Sequence, residues 1–322
     1  MGTSADIQEI QSTCNRLKDE IAKVIVGQEE IIEKIIIAML ANGHCLLVGV
    51  PGLAKTLTIS SLAKALGADF KRIQFTPDLM PSDILGTEIL NVDDAGQKKF
   101  KFMKGPVFTN VLLADEINRT PPKTQAALLE AMQEKNVTIG GNDYQLDAPF
   151  FVLATQNPIE QEGTYPLPEA QLDRFMFQLK LDYPTFEDEV RIVERTILGE
   201  LEDVSSLNLR SKILDFQKTI RSISVEKNVV EFAVNLVRQT RASQDNEFTE
   251  IIRYGAGPRA SQYLILGAKI MAVLRGDTLA DREHVKELAP SVLGHRILLS
   301  FSGEADGWTI EKLVDRIVQK LA

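Results

Sequence analysis

The sequence has 322 residues, 44% hydrophobic and 25% charged, which is typical of a globular chain with about two domains. Its formal net charge of −9 and pI of about 5.1 argue against broad electrostatic binding to nucleic acid or anionic membranes. No apolar run approaches the roughly 18 residues that a membrane-spanning helix needs. The N-terminus lacks the basic-then-apolar order of a secretory signal, so we expect a cytoplasmic protein with no membrane insertion. Cys14 and Cys45 lie among apolar neighbours without histidine at metal-ligand spacing, which favours buried free thiols.

Apolar residues at steps of three and four predict an N-terminal helix over residues 7–24, and a second helical run follows over residues 28–40. Short apolar runs then alternate with helical patterns, which predicts an α/β domain around a mostly parallel sheet. The predicted strands are residues 45–48, 72–75, 111–114, 150–154 and 175–179, and the helices between them include residues 55–66 and 123–134.

Two stretches interrupt this alternation. Residues 86–105 and 136–147 are predicted to form β-hairpins, with turn signals at residues 93–96 and 140–142. Beyond Tyr183 the periodicity is helical only. We therefore expect an α/β domain over residues 1–183, the N-terminal helix included, and an all-helical domain over residues 184–322.

The segment GVPGLAKT, residues 49–56, follows the first strand and opens a helix, which is the context of a phosphate-binding loop. Backbone N–H groups and the helix dipole favour negative charge at such a position. Lys55 would reach the β- and γ-phosphates, and the hydroxyl of Thr56 would complete a magnesium shell. The strict pattern has glycine where this chain has Ala54, so the match is to a variant. The nucleotide-binding residues predicted here are Gly49, Val50, Pro51, Gly52, Leu53, Ala54, Lys55, Thr56 and Leu57.

The strand over residues 111–114 runs into two consecutive carboxylates, Asp115 and Glu116. Because side chains alternate along a strand, the two can point the same way only where the strand has ended. We therefore expect them at its C-terminal edge, where ligands bind in open α/β sheets. Asp115 would hold Mg²⁺ mainly through water, and Glu116 would orient and deprotonate the attacking water.

Three further side chains are candidates for contact with a transferred phosphate. Asn157 follows the next strand and is placed to hydrogen-bond the attacking water, although asparagine before proline is also an ordinary turn residue. Arg174 immediately precedes the fifth strand, and Arg259 opens a helix of the second domain. A guanidinium can neutralise charge on a transferred phosphoryl group, but each arginine also suits an ordinary position at a helix end.

In this order and spacing, the motifs GVPGLAKT, LLADEINR, ATQNP, PLPEAQLDRF and GPRA resemble those of the MoxR family of AAA+ ATPases over nearly the whole chain. This family accepts alanine at position 54. The resemblance implies a five-stranded AAA+ sheet with a helical lid, and subunits that form a ring, usually a hexamer. It also implies ATP and Mg²⁺ as ligands, chaperone-like action on protein clients, and partners that carry von Willebrand factor A domains.

The resemblance also assigns roles to individual residues. Val26, Gly27 and Gln28 would line the adenine, and the two hairpins match the helix-two and pre-sensor-one inserts of this clade. Lys55 and Thr56 take the Walker A roles, and Asp115 and Glu116 the Walker B roles. Asn157 becomes sensor one, Arg259 sensor two and Arg174 the arginine finger, with Arg119 as a second finger candidate.

The first hairpin alternates lysines with aromatics over residues 98–104. We favour a solvated hairpin with Phe100 and Phe102 on a packed face. A protein contact toward the pore of the ring comes second, and base stacking on nucleic acid third. Two rival functions remain beside the ATP-driven remodelling factor. One is a nucleic-acid-directed motor related to helicases, and the other is a nucleotide-gated scaffold with little turnover.

Overall fold

The computed structural model describes residues 4–92, 97–159, 163–199, 202–243, 246–277 and 279–321. The longer helices are α1 (Ser4–Ala22), α2 (Glu29–Leu40), α3 (Lys55–Leu66), α5 (Pro122–Glu134), α7 (Phe186–Leu198), α8 (Arg210–Ser222), α9 (Lys227–Gln239), α10 (Pro258–Arg275), α11 (Arg282–Leu293) and α13 (Ile310–Leu321). Three short helices are α4 (Pro81–Leu85), α6 (Glu169–Leu172) and α12 (Phe301–Ala305), and residues Ile117–Arg119 form a 3₁₀ turn. Among the described helices, none is long and apolar enough to cross a membrane.

Five strands form the central parallel sheet, in the order β2, β5, β8, β1, β9. These strands are β1 (Cys45–Gly49), β2 (Phe70–Gln74), β5 (Val111–Asp115), β8 (Phe151–Gln156) and β9 (Phe177–Leu181). Each matches a predicted strand, and the five-stranded parallel sheet is confirmed. The last strand begins at Phe177 rather than Phe175, because the Phe175 N–H donates to the Leu172 carbonyl of the preceding turn at 3.0 Å, and the Met176 N–H donates to the His44 carbonyl at 2.8 Å. Arg174 therefore lies in the turn before the strand and not directly beside it.

The core lies on both faces of this sheet, because successive side chains of a strand point to opposite sides. Leu47, Leu113 and Leu153 pack on one face with α1, α2, α3 and the C-terminal helices. Leu46 and Val152 pack on the other face with α5 and the segment around Ile84. Continuous apolar runs in the strands thus follow from burial on both sides.

The C-terminal part of the chain is predominantly helical, as predicted, with the predicted stripe of α9 buried from Val229 to Val237. It also contains a short antiparallel ladder of β10 (Ile252–Tyr254) and β11 (Leu298–Leu299). Those strands have three and two residues, too few for an alternating pattern to be read from the sequence. The division between residues 183 and 184 stays a prediction. This C-terminal part also contacts the N-terminal helix, since α1 packs against α10.

Both predicted hairpins are present, as β3 (Gly86–Val92) with β4 (Lys98–Lys104), and β6 (Asn136–Ile139) with β7 (Asn142–Gln145). The turn predicted at residues 93–96 lies outside the described residues. Phe102 stacks on Tyr144 with ring centroids 4.1 Å apart, so this ring packs as predicted. The prediction was wrong for Phe100, which is 73% exposed because it lies further along the hairpin.

Candidate nucleotide-binding site

The phosphate loop links β1 to α3 at the carboxyl edge of the sheet. Ala54 has a left-handed backbone with φ of +54°, and Gly52 has φ of +88°. The left-handed region is costly for residues with a Cβ, which explains why the strict loop pattern has glycine at position 54. The backbone of the variant loop therefore adopts the turn that glycine would favour. Lys55 is the first residue of α3, and its ammonium donates to the Gly49 carbonyl.

Gly49 is required by close packing rather than by its dihedral angles. A Cβ at this position would lie 2.8 Å from the Leu181 carbonyl oxygen and 2.9 Å from the Leu181 Cβ. Both contacts are shorter than real Cβ atoms show, and the first is with backbone that cannot rotate away. The loop thus begins directly against the end of β9.

The acidic pair lies at the end of β5, as predicted. Asp115 is the last residue of the strand, and Glu116 adopts a left-handed backbone with φ of +59°. Thr155 of β8 binds both residues. Its hydroxyl donates to Asp115 Oδ1 at 2.6 Å and accepts the backbone N–H of Glu116 at 2.9 Å. One buried hydroxyl therefore fixes the orientation of the carboxylates relative to each other.

Side chains from β2 and the 3₁₀ turn hold the outer atoms of this pair. Arg72 donates to Asp115 Oδ2 from Nη2 at 2.7 Å. Gln74 donates to Glu116 Oε2 at 2.7 Å, and Arg119 lies 3.1 Å from the same oxygen through Nε. In this conformation the carboxylate of Glu116 is directed toward Gln74 and Arg119.

A cavity of about 490 Å³ brings the loop and these polar groups together. Its lining consists of the predicted residues Pro51, Gly52, Leu53, Ala54, Lys55, Thr56, Leu57, Asp115, Glu116 and Asn157, with Arg72 and Gln74 in addition. Burial lowers the pKa of Lys55, while the charges of Asp115 and Glu116 oppose that shift. A cation held beside two carboxylates, a hydroxyl and the backbone of the loop fits the charge pattern of a magnesium–triphosphate.

The donors present suit Mg²⁺ rather than a metal caged by protein. Among the described residues, no cluster of three or more His, Cys, Asp or Glu side chains could hold a metal. Mg²⁺ commonly binds proteins through one or two carboxylates plus substrate phosphates and water. Thr56 and Asp115 line the same cavity and supply hard oxygen donors of this kind. The residues present therefore fit the ion that the loop pattern implies.

The predicted adenine loop adjoins the phosphate loop. Gln28 donates to the Leu53 carbonyl at 3.4 Å and accepts from Thr58 at 3.3 Å. Val26 is buried, and Gly27 has φ of +73° with Asp188 lying directly over it. The role of Val26, Gly27 and Gln28 toward a base stays a prediction.

Asn157 lines the cavity, whereas Arg174 and Arg259 lie elsewhere. Arg174 donates to the Leu129 carbonyl at 2.6 Å. Arg259 pairs with Asp173 at 3.2 Å, and the Arg174 carbonyl accepts a hydrogen bond from Tyr263, one turn beyond Arg259 on α10, so both arginines adjoin the start of that helix. The structure thus separates them from the phosphate loop of their own chain.

Arg296 is a second cation on Asp173 and is buried. Its side chain is 1% exposed, and its Nε lies 2.8 Å from Asp173 Oδ1. It also donates to the carbonyls of Asp173 and Phe175. Burial lowers the pKa of Arg296, and the carboxylate of Asp173 opposes that shift.

Sequence reasoning missed Thr155, Arg72 and Gln74. Gln74 pairs with Asp115 in the register of β2 and β5, and Arg72 precedes it by two residues on the same side of the strand. Strand order was the missing information, because β2 and β5 are separated by three other elements along the chain, α4, β3 and β4. Thr155 lies two residues before the predicted Asn157, and a hydroxyl at the end of a predicted apolar strand was the available signal.

Comparison with known proteins agrees with this geometry. Residues 44–177 match the model of the ATPase family associated with various cellular activities (AAA), and residues 244–317 match the AAA lid domain. The chain is 42% identical to the chaperone MoxR1 of Mycobacterium tuberculosis, over 96% of this chain and 82% of that protein. It is 40% identical to YeaC of Bacillus subtilis, over 97% and 95% of the two chains.

A crystal structure from Cytophaga hutchinsonii, of a protein provisionally described as an ATPase, superimposes with a TM-score of 0.88. It is 42% identical, and the match covers 98% of this chain and 96% of that one. The MoxR protein of Methylorubrum extorquens is 29% identical over 88% of this chain. With relatives of this similarity over most of its length, and with the AAA and AAA lid models both matched, the chain belongs to the MoxR family of AAA+ ATPases.

Proposed function

We propose that this chain binds ATP with Mg²⁺ at residues 49–57 and hydrolyses it, in an assembled ring that reshapes protein clients. The observation that carries the proposal is the single cavity that joins the phosphate loop to Asp115, Glu116 and Asn157. These groups come from three neighbouring strands, whose carboxyl ends meet at one edge of the sheet.

Each residue then has a chemical task. Lys55 and the loop N–H groups bind the β- and γ-phosphates, and Gln28 with Gly27 and Val26 positions the base. Glu116, once released from Gln74 and Arg119, orients a water for in-line attack on the γ-phosphorus and takes its proton. Asn157 helps to place that water. Mg²⁺, held by Thr56 and through water by Asp115, would neutralise charge on the phosphate oxygens.

We assign Arg174 and Arg259 to the nucleotide of a neighbouring copy. Neither side chain lines the cavity of its own chain, so a second copy would bring these two guanidinium groups to the γ-phosphate. Such a finger typically contributes about 10³- to 10⁵-fold in rate. The ring, usually a hexamer in this family, provides that arrangement, and Arg119 is the alternative finger.

The test uses three variants and calorimetry with purified protein and Mg²⁺. Lys55→Ala should lose ATP binding, and Glu116→Gln should bind ATP without cleaving it. Arg174→Ala should bind normally but fail to hydrolyse, and mixing it with Lys55→Ala subunits should restore part of the activity. Absence of any heat of ATP or ADP binding to the wild type would refute the proposal. Absence of rescue would transfer the finger role to Arg119.

The client is proposed to be a protein, with a von Willebrand factor A domain supplied by a separate partner. The relative named chaperone MoxR1 supports a protein client. Affinity capture with Glu116→Gln, whose ATP-bound state should retain clients, is the direct test. Recovery of no protein above that seen with Lys55→Ala would contradict it.

A nucleic-acid motor is the second candidate, and one observation favours it. Phe100 is exposed on a strand that also carries Lys98, Lys99, Lys101 and Lys104. Such a surface can stack bases and contact phosphates. Stimulation of hydrolysis by single-stranded DNA, falling steeply with salt, would support this candidate. Equal rates with and without DNA would eliminate it.

A further inference from the structure

Helix α7 presents its apolar side to solvent and its polar side to the protein. Phe186, Val190, Val193 and Ile197 recur at steps of four, three and four, and are 78%, 39%, 47% and 76% exposed. We call these four residues the α7 stripe. An amphipathic helix of a globular chain normally buries such a stripe.

The opposite side of α7 holds the helix to its own chain. Asp188 is buried over Gly27, in the predicted adenine loop. Arg195 donates to the carbonyls of Ala22 and Lys23 at 3.1 and 3.3 Å. The helix is therefore fixed beside the nucleotide site by polar contacts, with the α7 stripe turned outward.

A groove between α9 and α10 has the complementary character. Its volume is about 630 Å³, and its apolar lining includes Val230, Val234, Ile265 and Leu266. Val230 and Val234 are 38% and 39% exposed. We call this the lid groove. It has the shape and the apolar lining that accept one face of a helix.

The charges around the two surfaces are opposite. Arg238, Arg241 and Lys269 line the lid groove, and none of them is ion-paired with a carboxylate within the part of the chain that the structure describes. On α7, Glu187 and Glu194 lie to one side of the stripe and Glu189 to the other, by the helical spacing of 100° per residue. The acidic residues thus flank the stripe on both sides, as a cationic groove requires.

Each surface also lies next to one part of the proposed catalytic site, the adenine loop in one case and Arg259 in the other. The α7 stripe lies on the helix that covers the adenine loop. The lid groove ends at Pro258 and Gln262, in the first turns of α10, where Arg259 also lies. The Arg174 carbonyl accepts a hydrogen bond from Tyr263 in the same part of α10. Seating the stripe of one copy in the groove of another therefore brings this end of α10, with Arg259 and Arg174, toward the phosphate loop of the first copy.

We propose that the α7 stripe of one copy docks into the lid groove of the next copy. Because the two surfaces differ, the contact is head-to-tail and propagates into a ring. The inference rests on the proposed function, since it supplies the contact through which arginines act on a neighbour's ATP. Its occupant is a second copy of this chain.

Two variants test the docking, each lacking one surface. The stripe variant carries Phe186→Ser and Ile197→Ser, and the groove variant carries Val230→Glu and Val234→Glu. Phe301→Ser, at an apolar residue that is 88% exposed on α12, is the matched control. In sedimentation velocity with Mg-ATP, the control should assemble like the wild type and each variant should remain monomeric. A one-to-one mixture should form a dimer, because each variant supplies the surface that the other lacks.

Hydrolysis in the mixture tests the direction of the contact. Each variant alone should lose at least about 100-fold in rate, because a finger in trans contributes about 10³- to 10⁵-fold. The mixture should recover activity. When Glu116→Gln is added to the groove variant, the mixture should be inactive, and when it is added to the stripe variant, the mixture should stay active. The reason is that the groove variant keeps the intact stripe, and with it the nucleotide site at the shared contact.

The outcomes separate the docking from the proposed function. Variants that assemble like the wild type, or a mixture that stays monomeric although both variants bind ATP by calorimetry, overturn the docking. A dimer that forms but does not hydrolyse overturns the placement of the arginines. If the wild type itself does not bind ATP by calorimetry, the proposed function is refuted.

Discussion

Thr155 is the residue through which the structure makes its sharpest prediction. The side chain is fully buried, and its hydroxyl is shared between the two residues of the acidic pair. It donates to Asp115 and accepts from the backbone of Glu116. The change Thr155→Val keeps the branched shape and removes both hydrogen bonds.

The expected loss of stability follows from the two groups that lose the Thr155 hydroxyl, Asp115 Oδ1 and the backbone N–H of Glu116. A hydrogen bond to a charged group contributes roughly 1.5–3 kcal/mol, and a buried N–H without an acceptor costs about 1–3 kcal/mol. Asp115 keeps its contact with Arg72 and Glu116 can adjust, so we expect a net loss of about 2–4 kcal/mol in the free energy of unfolding. For a chain of this size that corresponds to a fall in Tm of about 4–10 °C.

The effect on hydrolysis should exceed the effect on stability. Glu116 must point at a water in line with the γ-phosphorus, and a displacement of about 1 Å can cost about 100-fold in rate. We expect kcat to fall by about 10- to 100-fold at 25 °C, where the variant remains folded. KM for ATP should change little, because Lys55 and the loop N–H groups are untouched.

The assay is steady-state ATP hydrolysis with thermal unfolding measured on the same preparations. Thr155→Ser is the matched control, since it keeps the hydroxyl and loses only a methyl group. It should retain most of the wild-type kcat even if its Tm falls slightly. Wild-type kcat and Tm in Thr155→Val would refute the assignment of Thr155 as the positioning residue of the acidic pair.

Three other predictions concern burial and close packing. Burial lowers the pKa of Lys135 from 10.5 to about 8. Its charge therefore destabilises the folded state below pH 8, and this destabilisation disappears as pH rises from 8 to 10.5. Lys135→Met should raise Tm at pH 7 by an amount that shrinks toward pH 10. Gly49→Ala places a Cβ 2.8 Å from a backbone carbonyl of β9 and should lower Tm and weaken ATP binding, whereas Gly257→Ala, with nothing within 4 Å, should leave nucleotide binding unchanged. Arg296→Met leaves the carboxylate of Asp173 and two carbonyls without their buried cation, so the free energy of unfolding should fall by about 3–5 kcal/mol in denaturant titrations. An unchanged pH dependence, an unchanged Tm or an unchanged midpoint would contradict the respective prediction.

The sequence alone determined the fold class and the centre of the site. Lys55, Thr56, Asp115 and Glu116 were predictable because a phosphate loop and an acidic strand end are local features, each defined within a few consecutive residues. Strand and helix types followed from periodicity for the same reason. The resemblance to the MoxR family then supplied the strand count and the lid.

Only the tertiary structure decided which distant residues meet. Thr155 and Gln74 bind the acidic pair because β8 and β2 lie on either side of β5, an order that no local pattern encodes. Ala54 and Glu116 adopt left-handed backbones, which the loop and the strand end impose on residues that do not favour them.

The same distinction explains α7 and the arginines. A helical period reveals a stripe from Phe186 to Ile197, but whether that stripe is covered depends on how the polar residues of the opposite side are held. Arg174 and Arg259 lie more than eighty residues apart in sequence, yet Arg259 pairs with Asp173, the chain neighbour of Arg174, away from the loop. Local chemistry is encoded in neighbouring residues, whereas proximity and exposure are properties of the packed chain, so only the structure could assign them.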